Sequence, residues 1–292
     1  MLTEIKIELP FLAVGQTEDV LLELGDGRWS LLEDAIAGRA WIVGIFEDGA
    51  SPREEWTRLE SMLPVPAMGA PEIRSLAAQD WAESYKEHFH PWQFGRLHWV
   101  PAWERGKFEI PPGDSVLWLD PGMAFGTGNH ETTRLCVERL VALAEARSAA
   151  GRARARVIDA GCGSGILALS AALLGFGDVS GFDNDPEAIR VSRENATLNA
   201  VADKVRFSVV NLAAGLASGA ADVVLANIQA DVLVAASREL TAAVAPGGSL
   251  VLSGILAQER DAVLEAFRAA APEWAADSRV LGEWSDILLT KP

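Results

Sequence analysis

The sequence predicts an α/β protein, with a doubly wound, mostly parallel sheet in its second part and a small α+β domain before it. From about residue 106 onward, apolar strand segments alternate with helical segments. In the first 80 residues, strand and helix segments instead mix at short spacing. Repeated βα units favour a parallel sheet covered on both faces, so we expect domains at 1–80 and 106–292, joined by a linker helix and connecting segment at 81–105.

The first domain opens with a strand over residues 1–10, where polar and apolar residues alternate. Its next predicted elements are a helix at Glu18–Leu24, ended by Gly25, and strands at Trp29–Leu32 and Ala40–Glu47. A second helix at about Pro52–Met62 has Ser51 as its predicted N-cap and Pro52 at its first position. Glu54 stands three residues after the serine, which is the spacing of a capping box.

The predicted linker is rich in aromatic residues. Five of the ten tryptophans fall between residues 81 and 118, and we expect a helix here followed by a strand packed on the next domain. His88, His90 and His98 also lie in this region. No His-x₃-His spacing or cysteine pair completes a metal site, so no metal is predicted.

The second domain has predicted strands near 155–160, 179–183, 205–210, 222–226, 248–253 and 284–290. The carboxyl ends of parallel strands meet at one edge of a sheet, and ligands bind beyond that edge. Four polar residues stand at or just after such ends: Asp159, Asp183, Asn211 and Asn227. We therefore expect their side chains to converge on one crevice.

A glycine-rich turn follows the first of these strands, where residues 159–165 read Asp-Ala-Gly-Cys-Gly-Ser-Gly. Gly161, Gly163 and Gly165 let the backbone bend sharply and approach a ligand closely, and the amides at the start of the next helix suit an anionic group. Asp183, eighteen residues after Gly165, can accept hydrogen bonds from ribose hydroxyls. The pattern indicates a nucleoside-bearing cofactor, with a dinucleotide site and an ordinary glycine-rich turn as alternatives.

The composition restricts the partner and the compartment. The formal charge is −16, which repels a nucleic-acid backbone and favours a basic protein partner, although a merely solubilising acidic surface fits equally well. The acidic residues are concentrated in the first domain, because residues 1–80 hold 15 Asp and Glu against 6 Lys and Arg.

The chain has two cysteines, Cys136 and Cys162, which form no disulfide framework and favour the reducing cytoplasm. Cys162 is interpreted as a packing residue. No run is long enough to cross a membrane, and we expect a monomer without a membrane partner.

Several motifs together are typical of one family. They are Lys-Glu-His-Phe at 86–89, Gly-Thr-Gly-x-His-x-Thr-Thr at 126–133, the glycine turn, Asn227-Ile228, and Ser253-Gly254-Ile255-Leu256. The turn resembles the first motif of the Rossmann-like S-adenosylmethionine methyltransferases. As a whole the chain resembles the ribosomal protein L11 methyltransferases, which are bacterial protein-lysine methyltransferases, and the likeness covers nearly its whole length.

This resemblance implies a Rossmann-like class I methyltransferase domain preceded by a ferredoxin-like domain that recognises the substrate. It implies methylation of lysine side-chain amines and the N-terminal amine of ribosomal protein L11, with S-adenosyl-L-methionine as the cofactor. The implied cofactor contacts are Thr133, Gly161, Asp183 and Asn227, together with Gly163 of the same turn. The implied catalytic residues are Asn227, His130 and Thr132, of which His130 and Thr132 match loop positions that face the reacting amine.

The residue types suit this reaction, since a sulfonium methyl needs only a neutral amine in line with it. Free lysine has a pKa of ~10.4, so burial must favour the neutral form. The Asn227 amide oxygen can then orient the amine, and positioning supplies most of the acceleration. His130 could accept a proton or only pin its loop. The alternative for Thr132 and Thr133 is that they only cap the helix.

One segment departs from the family pattern. The family commonly follows Asn-Ile with Leu-Ala-Gly-Pro-Leu, whereas this chain has Gln229-Ala230-Asp231-Val232-Leu233. The loss of Gly and Pro and the gain of an acid put the choice of substrate in question. Alternatives are therefore a methyltransferase for another protein lysine, a glutamine amide or a small amine, and a cofactor-binding or ribosome-assembly factor without catalysis.

Overall fold

The computed structural model of the chain describes residues 2–24, 28–34, 39–46, 51–63, 65–76, 91–119 and 131–292. The chain divides into two compact units, Met1–His90 and Pro91–Pro292. The predicted linker helix and the loop up to His130 lie outside the described residues. The later part of the predicted connecting segment, from Pro91 onward, belongs to the second unit.

The first unit is a four-stranded sheet with two helices. Its strands are β1 (Leu2–Leu9), β2 (Trp29–Asp34), β3 (Arg39–Phe46) and β4 (Met68–Leu76), and its helices are α1 (Val14–Leu24) and α2 (Pro52–Glu60). The sheet order is β2-β3-β1-β4, and every neighbouring pair is antiparallel. The resulting β-α-β-β-α-β order is the one on which the ferredoxin-like assignment depends, and that assignment stays a prediction.

Alternation along the strands builds the core of this unit. Ile5 and Ile7 of β1 face the same side as Ile42 of β3, and Trp56 and Leu59 of α2 pack against them. Glu4, Lys6 and Glu8, which alternate with these isoleucines, are charged, as the period of two requires. The strands and helices predicted from the sequence are therefore present, with shifts of a few residues at their ends.

The predicted capping box at α2 is wrong in its hydrogen bonding. Ser51 is the N-cap residue and Pro52 follows it, but the serine side chain makes no capping bond. The Ser51 carbonyl instead accepts from the Glu54 and Glu55 amides at 3.0 and 3.1 Å. The sequence therefore located the start of the helix correctly but not the group that satisfies its first amides.

The second unit begins with a small sheet of β5 (Trp92–Phe94), β6 (Leu97–Pro101) and β7 (Ser115–Leu119). Trp99 is 1% exposed, and its Nε1 donates to Ser170 Oγ at 3.0 Å. The expectation of a strand packed on the second domain is thus confirmed by β6. The other two strands of this sheet, β5 and β7, were not predicted.

The main sheet has seven strands: β8 (Arg156–Ala160), β9 (Asp178–Asp183), β10 (Val205–Val209), β11 (Ala221–Asn227), β12 (Val244–Leu256), β13 (Ala275–Leu281) and β14 (Trp284–Thr290). Their order is β10-β9-β8-β11-β12-β14-β13. The first five run parallel, and β14 pairs antiparallel with both β12 and β13. The doubly wound, mostly parallel sheet is confirmed, with β13 as an additional edge strand.

The helices of the second unit are α3 (Glu131–Glu145), α4 (Ala149–Arg154), α5 (Ile166–Leu173), α6 (Pro186–Leu198), α7 (Leu212–Leu216), α8 (Ala230–Ala235), α9 (Ser237–Ala242) and α10 (Arg260–Ala270). Successive strand residues enter different apolar clusters: Val157 and Val223 join one, and Ile158 and Val224 join the other. Both faces of the sheet are therefore buried, as parallel sheets require. None of the described helices has the length and apolarity to cross a membrane.

Candidate active site

The glycine-rich turn after β8 has three residues with positive φ. The angles are +71° at Gly161, +50° at Gly163 and +79° at Gly165. A Cβ on Gly161 would lie 2.5 Å from Ile228 Cγ2, and one on Gly165 would lie 2.8 Å from Phe207 Cζ. Both the backbone conformation and the space therefore require glycine at these two positions.

Asp183, the last residue of β9, lies against this turn. Its Oδ2 accepts from the Gly163 amide and its Oδ1 accepts from the Asp185 amide, each at 3.0 Å. The carboxylate is half-buried, and its two oxygens keep acceptor capacity beyond these two bonds. The turn is also tied to β9 by the Gly161 and Cys162 amides, which donate to the Phe182 carbonyl at 2.9 and 3.0 Å. Asp183 and the turn therefore form one unit of structure.

Asp159 lies underneath the turn rather than in the crevice. It is 1% exposed, and its Oδ2 accepts from the Ala168 amide in the first turn of α5 at 3.0 Å. The pKa of this carboxyl is raised to about 7, mainly by burial; the Ala168 amide opposes the rise, and the charge of Asp183 contributes to it. The expected use of the amides at the start of α5 for an anionic ligand is wrong at Ala168, because Asp159 already accepts from that amide.

A second group of site residues meets where α3 begins and β11 ends. Thr132 and Thr133 are 5% and 3% exposed. Asn227 Nδ2 donates to Thr133 Oγ1 at 3.4 Å, and Ser253 Oγ donates to the Thr132 carbonyl at 3.0 Å. Both threonines lie inside the first turn of α3, which begins at Glu131, so neither stands at the N-cap position.

Ile228 joins the two groups. A Cβ added to Gly161 would clash with the Ile228 side chain. A Cβ added to Gly254 would lie 2.5 Å from the Ile228 carbonyl oxygen. Gly254 has a φ of +79° and follows Ser253 at a shift in the β12–β14 register. The chain after Asn227 therefore fits between two glycines, and this fixes Asn227 beside the glycine turn.

Other polar residues singled out in the sequence have structural partners. Asn211 caps α7 by accepting from the Ala214 amide at 2.9 Å, and Asp185 caps α6 by accepting from the Glu187 amide at 2.8 Å. His98 is buried and lies 2.8 Å from Asp114. Among the described residues, no three His, Cys, Asp or Glu side chains are grouped as a metal site would require.

The two cysteines are buried thiols. Cys136 and Cys162 belong to the same apolar cluster, and burial raises the pKa of each thiol well above its usual range. The prediction that Cys162 is a packing residue is thereby confirmed. Neither thiol has the exposed, electropositive surroundings of a nucleophile.

Two residues of this region were not singled out from the sequence, and a third lies outside the described residues. Ser253, quoted only as part of a motif, holds the first turn of α3. Arg134, the residue after the two threonines, stacks on Trp92 with Cζ 4.1 Å from the ring centroid. The sequence signal that could have identified Arg134 is its position directly after Thr133, a predicted cofactor contact. The third residue, His130, lies outside the described part of the chain.

The comparisons with known proteins agree with one another. The sequence model of the family described as ribosomal protein L11 methyltransferase matches residues 17–292. Relatives named ribosomal protein L11 methyltransferase include one from Geobacter sulfurreducens, 46% identical over 77% of this chain and 70% of its own length, and one from Geobacter metallireducens, 44% identical over 76% and 70%. A solved structure of ribosomal protein L11 methylase from Lactobacillus delbrueckii subsp. bulgaricus is 28% identical, with a TM-score of 0.61, over 70% of this chain and 100% of that one.

Proposed function

This chain belongs to the ribosomal protein L11 methyltransferase family, and from that premise we propose that it transfers methyl groups from S-adenosyl-L-methionine to lysine side-chain amines and to the N-terminal amine of ribosomal protein L11. We place this activity in the cytoplasm, where the enzyme would encounter a ribosomal protein as its substrate. The observation that carries the proposal is the juxtaposition of the Asp183–glycine turn unit with the Thr133–Asn227 pair across Ile228.

The residues of the turn fit the cofactor. Gly161 and Gly163 present backbone without side chains, and Asp183 adds a half-buried carboxylate with acceptor capacity for ribose hydroxyls. When bound, S-adenosylmethionine supplies a methyl group that its sulfonium has already activated. The chain therefore needs no strong acid or base at this point, and its residues act by holding the two reactants in line.

Asn227 is the proposed orienting group for the acceptor amine. Its Nδ2 donates to Thr133 Oγ1, so the amide is held with its donor end engaged and its acceptor end, Oδ1, available to an N–H of the amine. A neutral amine keeps its lone pair for attack while an N–H binds this oxygen. Thr132 supports the arrangement through Ser253, whereas a part for His130 in receiving the proton stays a prediction.

The experiment is methylation of purified ribosomal protein L11 from a bacterial strain that lacks its own copy of the enzyme, with mass spectrometry of the product. We expect added methyl groups on lysines and on the N-terminal amine, and a loss of at least about 100-fold in kcat/KM for Asn227→Ala. Asn211→Ala is the matched control, because Asn211 follows another strand of the same sheet but caps only α7. Unmodified L11, with a folded enzyme, would reject the proposal.

A parallel incubation with labelled cofactor and whole lysate from the same strain tests the other acceptors. Asp231 is exposed in the first turn of α8, four residues after Asn227, so an acidic side chain stands close in sequence to the proposed amine site. Label on a protein other than L11, or on a small amine, would replace L11 as the substrate while retaining the reaction. Label confined to L11 supports the proposal.

The first unit is the proposed substrate-recognition domain. It has its own apolar core around Ile5, Ile42 and Trp56, and the second unit has two separate clusters. A truncated chain beginning at Pro91 is therefore expected to bind the cofactor as the whole chain does but to lose methylation of L11. Retained activity on L11 by this truncated chain would contradict the assignment.

A further inference from the structure

Arg134 carries an unused hydrogen-bonding capacity beside the candidate site. It is the fourth residue of α3, and its guanidinium lies over the ring of Trp92, with Cζ 4.1 Å from the ring centroid. Its Nε is buried, and within the described chain no acceptor lies in hydrogen-bonding range of that atom. An orphaned buried donor costs stability, so its retention requires an explanation.

The stack on Trp92 determines which ligand this guanidinium suits. The aromatic ring occupies one face of the planar group, whereas the N–H donors point outward in the plane of the guanidinium. A carboxylate accepts two such parallel N–H groups in a bidentate pair, and that geometry is specific for arginine. The arrangement therefore provides a preoriented fork for a carboxylate and disfavours a cation.

The position of Arg134 agrees with the far end of the cofactor. Asp183 ends β9, the glycine turn follows β8, and Asn227 ends β11, in that order across the sheet. Two strand spacings, about 10 Å, separate the ends of β9 and β11. A nucleoside whose ribose lies at Asp183 thus extends its tail toward Asn227 and Thr133, and Arg134 is the residue that follows Thr133.

We propose that Arg134 binds the α-carboxylate of the methionyl part of S-adenosylmethionine, with Trp92 holding the guanidinium in place. The inference rests on the proposed cofactor and deepens it by assigning a residue to one chemical group. Beside the turn the chain otherwise presents the carboxylate of Asp183, which suits the cationic sulfonium and α-amino groups but repels a carboxylate. Arg134 supplies the positive charge that the α-carboxylate of the ligand requires.

The test measures binding by calorimetry without any protein substrate, using S-adenosylmethionine, its decarboxylated form and 5′-methylthioadenosine. For Arg134→Gln we expect the Kd for S-adenosylmethionine to rise about 10- to 100-fold, the loss typical of a charge-assisted pair. The Kd values for the decarboxylated form and for methylthioadenosine should change by less than about 3-fold, because neither carries the carboxylate. The wild-type chain should also bind S-adenosylmethionine more tightly than the decarboxylated form.

Arg105→Gln is the matched control, since Arg105 stacks on Trp118 with Cζ 5.7 Å from the ring centroid, in the same unit. It should leave all three affinities unchanged. An equal loss for the three ligands in Arg134→Gln, or an unchanged Kd for S-adenosylmethionine, would overturn the assignment. The wild-type chain could fail to methylate L11 while Arg134→Gln still weakens the binding of S-adenosylmethionine but not of the two ligands without the carboxylate. That result would reject the proposed substrate and leave this inference standing.

Discussion

The carboxylate of Asp183 has a structural role in the glycine turn and a proposed role in binding the cofactor. It accepts the Gly163 and Asp185 amides, which holds the turn, and it faces the proposed ribose site. For Asp183→Ala we expect the Kd for S-adenosylmethionine to rise at least about 100-fold, because a charge-assisted acceptor and the shape of the turn are lost together. Calorimetry on the purified variant measures this.

Asp185→Ala is the control for that experiment. Asp185 caps α6 from the same loop, so its loss should cost about 1 kcal/mol of stability and leave the cofactor affinity unchanged. If Asp183→Ala bound S-adenosylmethionine like the wild type, the ribose assignment would be wrong.

Asp159 should make stability depend on pH. Its pKa in the folded chain is about 7, mainly through burial, against an ordinary value of 3.8. Because the folded value is raised, the favourable contribution is complete below about pH 4 and is lost as the pH rises through 7. Asn keeps the acceptor for the Ala168 amide without ionising, so Asp159→Asn should gain stability relative to wild type between pH 5.5 and 8.

Urea unfolding of both proteins across that range measures the difference in free energy of unfolding. The expected change in this difference is on the order of 2 kcal/mol. A difference that stays constant with pH would show that Asp159 is already charged in the folded chain throughout the range.

At the scale of elements, α3 is the helix on which the site depends, and a buried ion-pair network fixes it to the sheet. Asp286 of β14 is fully buried and accepts from Arg139 of α3 at 2.9 and 3.0 Å and from Arg279 of β13 at 2.6 and 3.0 Å. Removing its charge leaves two guanidinium groups without their shared partner. Asp286→Asn should therefore lower the free energy of unfolding by about 3 kcal/mol.

Asp277→Asn is the matched variant, because Asp277 pairs with the same Arg139 at 2.5 Å but is 65% exposed. An exposed pair contributes little, so we expect a change within about 0.5 kcal/mol by urea unfolding. Similar losses in the two variants would mean that burial does not govern this network.

Most elements followed from the sequence, and the exceptions have physical causes. The strand β13 is an edge strand whose residues are largely exposed, so it lacks the apolar run that marks a buried strand. The strand β12 begins earlier and ends later than predicted, and Gly254 accommodates the packing of Ile228 within it. The small sheet of β5, β6 and β7 depends on contacts such as Trp99 with Ser170, which no local pattern encodes.

At the scale of the whole molecule, the acidic charge predicts how substrate binding responds to salt. The formal charge is −16, and the first 80 residues have an excess of acid over base. If a basic partner is attracted by this charge, the KM for L11 should rise about 10-fold between 50 and 500 mM salt, since screening shortens the range of the attraction. Initial rates of methylation measure this.

The cofactor affinity at the same salt concentrations is the control, and it should change little because its contacts are short and partly buried. A KM that does not respond to salt would assign the acidic surface to solubility alone. Parallel changes in the cofactor Kd and in the KM would point to a general effect on the enzyme instead.

The sequence by itself determined the alternation of strands and helices that builds the parallel part of the main sheet, and the glycine turn, with Asp183 and Asn227 at strand ends. These features depend on local periodicity and on backbone conformations that only glycine adopts, so they can be read along the chain. Only the tertiary structure decided that Asp159 turns inward to α5, that Ile228 joins Gly161 to Gly254, and that Arg134 stacks on Trp92. Those outcomes depend on which distant residues are brought into contact and on how completely water is removed around them.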